Sequence, residues 1–122
     1  MVAVMGVRES RPAQADIGPA IDQEHLSQMT LGERDLEGEV LRLFVRQAEM
    51  LMARMRAQQP GLARASAHTI KGSARGIGAW RVARAAEAVE RANAAELGAA
   101  VDALGAALAE ANAAIAALLR GH

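Results

Sequence analysis

Ala67-His68-Thr69-Ile70-Lys71-Gly72-Ser73-Ala74-Arg75-Gly76-Ile77-Gly78-Ala79 separates into two faces when wound as a helix at about 100° per residue. Ala63, Ile70, Ala74 and Ile77 fall on one side, with Ser66 and Ser73 at its edge. His68 falls opposite, within about 60° of Arg64, Lys71, Gly72 and Arg75. A histidine set among three cations and a residue without a side chain is badly placed for a core. It is well placed to carry something anionic.

Apolar periodicity extends this helix into a bundle. Residues 31–57 step through Leu36, Val40, Leu43, Gln47 and Met50 at intervals of 4 and 3, with Phe44, Leu51 and Met55 alongside, which predicts one long helix with a wide buried stripe. Leu41, Val45, Ala48 and Met52 lie at the edge of that face, either finishing the core or forming an apolar docking patch. Thr30-Leu31-Gly32-Glu33 reads as a capping box at its start. Pro60 suits the first turn of the histidine helix, predicted over 61–76, and Gly76 and Gly78 suit its end. A third helix runs from Trp80 to Arg91, and Asn93 with Glu96 caps a fourth. That last helix carries Leu97, Val101, Leu104, Leu108, Ala111, Ile115 and Leu118 on one side. A short helix follows Asp22 as N-cap, with Ile21, Leu26 and Met29 as its apolar contacts. The expected fold is therefore all-α: an antiparallel four-helix bundle with a short extra N-terminal helix, over residues 20–120, after a flexible tail of residues 1–19.

Composition narrows the function. Of 122 residues, 52% are hydrophobic, but much of that is alanine, and one Trp and one Phe are the only aromatics, which favours packed helices over a sheet. Fourteen basic and fourteen acidic residues cancel, against the basic excess of a general nucleic-acid binder. No cysteine is available for a disulfide or thiolate metal site. The three histidines, His25, His68 and His122, lack metal-ligand spacing, and His25 and His122 read as incidental. The apolar start, Met1 to Val7, is too short for a signal segment, and no uncharged stretch has the length of a membrane span. A cytoplasmic protein is expected, with neither metal nor cofactor of its own.

At His68 the residues themselves suggest nucleophilic chemistry. A neutral imidazole attacks phosphorus through an exposed, unprotonated ring nitrogen. Neighbouring positive charge favours the neutral ring and then welcomes the anionic product. Lys71, one turn away, is the natural phosphate-side cation, with Arg75 and Arg64 further along the same face. Gly72 costs about 1 kcal/mol relative to alanine in a helix, and on this face it clears room for another backbone. A protein partner is implied, because a slim bundle offers a small substrate no pocket.

This run resembles the histidine-containing phosphotransfer (HPt) domain, whose pattern is His-x-Leu-Lys-Gly-Ser followed five residues later by Gly-Ala. His68, Ile70 (in place of Leu), Lys71, Gly72, Ser73, Gly78 and Ala79 fill it. Gly32, Leu36 and Val40 to Phe44 are similar to that family's preceding helix; Ala86, Val89, Glu90 and Ala92 are similar to its following one. The likeness covers residues 20 to about 118. It implies a phosphocarrier, not a kinase: His68 takes a phosphoryl group from a receiver-domain aspartate and passes it to another. Partners would be receiver domains of response regulators or hybrid histidine kinases, which supply the magnesium. By position, Lys71 would be the phosphate-side cation, Gly72 the clearance residue and Ser73 the small residue beside the imidazole. Glu90 stands where members place Gln or Glu against the ring, so that a carboxylate on Nδ1–H would leave Nε2 free.

This chain departs from the pattern with Ala74, where some members carry a second hydroxyl, and with the cationic, flexible Arg75-Gly76. Thr69 separates it from histidine-kinase dimerisation helices, which have an acidic residue there. A monomer is expected. Two other functions are consistent with parts of the sequence: a helical adaptor that binds or sequesters receivers without transfer, and an enzyme using His68 as general base in a concave site.

Overall fold

The computed structural model describes residues 18–56 and 60–121. Among the described residues five helices follow in order: α1 (Gln23–Met29), α2 (Arg34–Arg56), α3 (Pro60–Ile77), α4 (Trp80–Arg91) and α5 (Ala94–Arg120). Each long helix packs on the next, and α2 meets α5 to close the bundle, while α1 lies against α3. The result is the expected all-α bundle with a short additional helix. The expected tail falls, for residues 1–17, outside the described residues; Gly18 is fastened, its carbonyl accepting from Arg81 Nη2 at 2.7 Å.

α3 owes its position to small side chains. Ala63, Ala67 and Ala74 are buried with Ile70 and Ile77, and opposite them lie Ala83, Ala86 and Val89 of α4. Alanine on both sides lets two helices approach until their backbones set the spacing, which leaves α3 buried on one side and bare on the other. The core is completed by Leu41, Phe44, Ala48, Leu51 and Met55 of α2 and by Val101, Leu104, Leu108, Ala111 and Ile115 of α5. Among the described residues α5 has the length and apolarity of a membrane-spanning helix, but these five side chains are spent in the bundle core.

α2 is rotated from its predicted face. Leu36, Leu43 and Met50, expected in the core, are exposed, and the edge residues Leu41 and Ala48 are buried in their place. Both stripes are apolar, and Phe44, the bulkiest side chain available, together with Leu51 and Met55 sides with the second. Met29, expected as a core contact of α1, is exposed as well.

Helix ends explain the other differences. Asp22 caps α1 as expected, accepting from the His25 amide at 3.1 Å. The capping box at Thr30 does not form. Thr30 closes α1 instead, its hydroxyl turned back to donate to the Leu26 carbonyl at 2.8 Å, and the Glu33 amide donates to the Thr30 backbone carbonyl at 3.0 Å. Leu31 and Gly32 then turn through positive φ, and α2 starts only at Arg34. Gly76 stays helical, and the stop falls to Gly78 at φ +79. The Asn93–Glu96 capping box forms with both reciprocal bonds, at 2.9 and 3.0 Å.

Gly78 is also a point of close approach. The Asp22 amide donates to its carbonyl at 2.9 Å, and a Cβ on Gly78 would stand 2.8 Å from the Asp22 carbonyl oxygen. A Cβ on Gly72 would meet nothing within 4 Å. Gly78→Ala should therefore destabilise the fold by about 1–3 kcal/mol from backbone strain alone, with the clash in addition. Gly72→Ala should stabilise it by about 1 kcal/mol. Denaturant unfolding of the two variants measures both, and a Gly78→Ala variant as stable as the parent would refute this account of the turn.

Candidate functional site

His68 projects from the middle of α3 with its side chain 71% exposed. The ring stands on a convex helix face, where a partner can reach it and a pocket-bound substrate cannot. The inward half of the same helix fixes its direction, since Ala67 and Ile70 on either side are buried.

One carboxylate organises the surroundings of the ring. Glu90, on α4, faces α3 with its side chain 20% exposed. Its Oε2 lies 2.7 Å from His68 Nδ1, and its Oε1 lies 2.6 Å from Lys71 Nζ. Oε1 is buried, and Lys71 compensates it as an ion pair without the alignment of a directed hydrogen bond. The Lys71 ammonium above all, and then the imidazole, hold the Glu90 carboxyl below its ordinary range against the opposing effect of burial. An ionised carboxylate only accepts, so Nδ1 carries the hydrogen and a neutral ring presents the lone pair of Nε2 to solvent.

The cations do not form the free basic face that helix geometry suggests. Lys71 is 16% exposed and committed to Glu90. Arg64 donates through Nη2 to the Ala92 carbonyl at 2.7 Å, closing the C-terminal end of α4. Arg75 is exposed, and its guanidinium makes no hydrogen bond or ion pair with the described residues. Gly72, one turn from His68, is exposed with open space over its Cα. Ser73 does not turn its hydroxyl to the imidazole. It donates to Gln47 Oε1 of α2 at 2.6 Å, across the α2–α3 interface.

The structure brings together His68, Lys71 and Glu90, leaves Gly72 and Arg75 open beside them, and assigns Arg64 and Ser73 to contacts between helices. Sequence reasoning passed over Gln47 as part of an apolar stripe, although a polar residue at a half-buried position needs a partner. It also passed over His25. His25 Nε2 lies 2.8 Å from the Arg75 carbonyl near the end of α3, and the ring meets Trp80 in a tilted contact, with centroids 4.8 Å apart and planes inclined at 55°. Trp80 in turn donates its indole N–H to Asp22 at 3.0 Å, which with the His25 amide keeps that carboxyl below its ordinary range. His25 is thus a structural residue and not an incidental one.

An open groove of about 460 Å³ adjoins this helix on the α2 side. Met29, Leu36, Val40 and Leu43 give it an apolar floor, bounded by Ser73 and Gly76. The patch that faces outward is therefore the stripe predicted for the core.

The family model of the Hpt domain matches residues 39–119, from the first turns of α2 to the end of α5. The chain belongs to the Hpt domain family. No curated protein and no solved structure matches it. Hpt domains are phosphocarriers of phosphorelays, have no kinase domain of their own and work with receiver domains. The matched span contains His68, Lys71, Gly72, Ser73 and Glu90 of this Hpt chain, and it leaves out α1 with its His25–Arg75 contact.

Because the folded-state pKa of Glu90 is lowered, its stabilising contacts are fully present above the unfolded carboxyl range and vanish as pH falls through the lowered value. The difference in unfolding free energy between the parent and Glu90→Gln should be largest near neutrality and close in acid. A gap that persists unchanged into acid would show that the charge of Glu90 is not what stabilises the site.

Proposed function

We propose that this Hpt domain carries phosphoryl groups between receiver domains through His68. The observation that carries the proposal is a single geometry: an imidazole 71% exposed, bonded through Nδ1 to a carboxylate at 2.7 Å. That bond fixes the tautomer and turns Nε2 outward as the nucleophile. Nε2 attacks the phosphorus of an aspartyl phosphate, the N–P bond forms, and the P–O bond to the aspartate breaks. The reverse sequence delivers the group to a second receiver. Magnesium would be held by the receiver.

Lys71, one turn from the ring, is the cation that meets the incoming oxygens. Gly72 provides the clearance that lets a receiver's backbone approach. The apolar groove beside α3 supplies contact area for the same partner, and exposed Arg75 is available to steer an acidic one. The adaptor reading lacks an observation of its own, since a module that only binds receivers needs no tautomer lock. Catalysis by His68 as general base would call for a concave site, and the ring stands on a convex face.

Incubation with a phosphorylated receiver should place acid-labile label on this chain. His68→Gln should abolish labelling and leave helicity intact, because the residue is exposed; a labelled variant would move the site elsewhere. Binding without label would favour the adaptor. Lys71→Ala should slow transfer without preventing folding, at some loss of stability because buried Glu90 Oε1 loses its ion-pair partner. Gly72→Phe should weaken receiver binding without loss of helix, and unchanged affinity would remove the clearance argument.

A further inference from the structure

The phosphorylation step creates a charge that Glu90 is placed to answer. Nε2 contributes its lone pair to phosphorus while the aspartate leaves with the electrons of the P–O bond. No proton moves. The ring, which held its hydrogen on Nδ1, emerges as a phosphorylated imidazolium with that N–H still directed at Glu90 Oε2.

The fate of this proton decides what the phosphoryl group can do next. From the imidazolium, the group departs and leaves neutral imidazole behind. Once Nδ1 is deprotonated, departure would have to leave an imidazolate anion, a far poorer leaving group. A carrier that gave up its proton would store phosphate and release it slowly.

We infer that Glu90 is a positioning residue that keeps the Nδ1 proton on the phosphorylated ring and so holds the phosphoryl group in its transferable form. This rests on the phosphocarrier reading above and adds to it a purpose for the negative charge, as distinct from the hydrogen bond. A glutamine at this position could also accept Nδ1–H, through its amide oxygen. Only a carboxylate adds an opposite charge beside the positive ring, and at 2.7 Å from Nδ1 it acts at contact distance on the proton itself.

The other charged groups around the ring do not take over this part. On α3, Arg64 is bonded to the Ala92 carbonyl, Lys71 is paired with Glu90, and Arg75 is a cation. On α4, Glu87 is paired with Arg91 at 3.1 Å. α2 meets α3 on its other side through the neutral Gln47 and Ser73. Lys71 weakens the pull of Glu90 on the resting ring, but a phosphoryl group one turn away offers the ammonium a second acceptor. Glu90 then answers the ring while Lys71 answers the phosphate.

The test uses the full chain labelled with ¹⁵N-histidine and phosphorylated by phosphoramidate, so that the result does not depend on finding a receiver. NMR of Nδ1 on the phosphorylated ring reports its protonation as pH is raised. Glu90→Gln and Glu90→Ala should both lose the proton at a pH lower by about one unit or more than the parent. Above both midpoints, transfer from the phosphorylated variants to a receiver should fall about tenfold for each unit of that shift. Circular dichroism establishes that the variants are folded, and the Gln variant keeps the size of the native side chain. Coincident titrations for parent and Glu90→Gln would overturn the inference, as would a parent chain that takes no phosphoryl group from phosphoramidate. A chain that phosphoramidate labels but no receiver does would instead overturn the phosphorelay reading, with the titration still decisive for Glu90.

Discussion

The close contact between the alanine-rich faces of α3 and α4 is the constraint on which the rest depends. It sets two helices near enough for a glutamate on one to reach a histidine and a lysine on the other. Larger inner residues would spread the helices, and a carboxylate side chain spans only a few bonds. The 2.7 and 2.6 Å contacts of Glu90 are therefore a product of packing as much as of chemistry. Ala67, Ala74 and Ala86, all fully buried, hold the site together from below.

A single carboxylate bonded to two unlike groups makes the site economical in charge. The Lys71 ammonium is already paired with Glu90, which leaves exposed Arg75 as the open cation of α3 near the imidazole. The imidazole meanwhile acquires a defined tautomer without being buried. Exposure and orientation usually compete, because an exposed ring rotates freely. Here the acceptor sits on the neighbouring helix, so the ring is held from beneath and left bare above.

Much of this was legible in the sequence, for reasons that can be given residue by residue. His68, Ile70, Lys71 and Gly72 declare themselves because helical spacing alone fixes which of them share a face, and Gly78 because glycine suits a helix stop. The α4 limits and the Asn93 cap follow from local chemistry that the tertiary structure leaves undisturbed. The rotation of α2 was not legible, since a helix with two adjacent apolar stripes does not say which one the core takes. Thr30 misled because the same hydroxyl suits the start of one helix and the end of another, and Leu31 and Gly32 decide between them. The destinations of Ser73, Arg64 and His25 depend on residues 26, 28 and 50 positions away, beyond the reach of any local pattern.

α1 is only seven residues long, yet it helps to wall the groove beside α3. The helix and its closing turn contribute Met29 and Thr30 to the wall, while His25, in tilted contact with Trp80, reaches across to the Arg75 carbonyl of α3. A carbonyl at a helix terminus is one of the few places where a rigid rod can be gripped from outside. The hollow and the rod that bears the imidazole thus share one small fastening, α1.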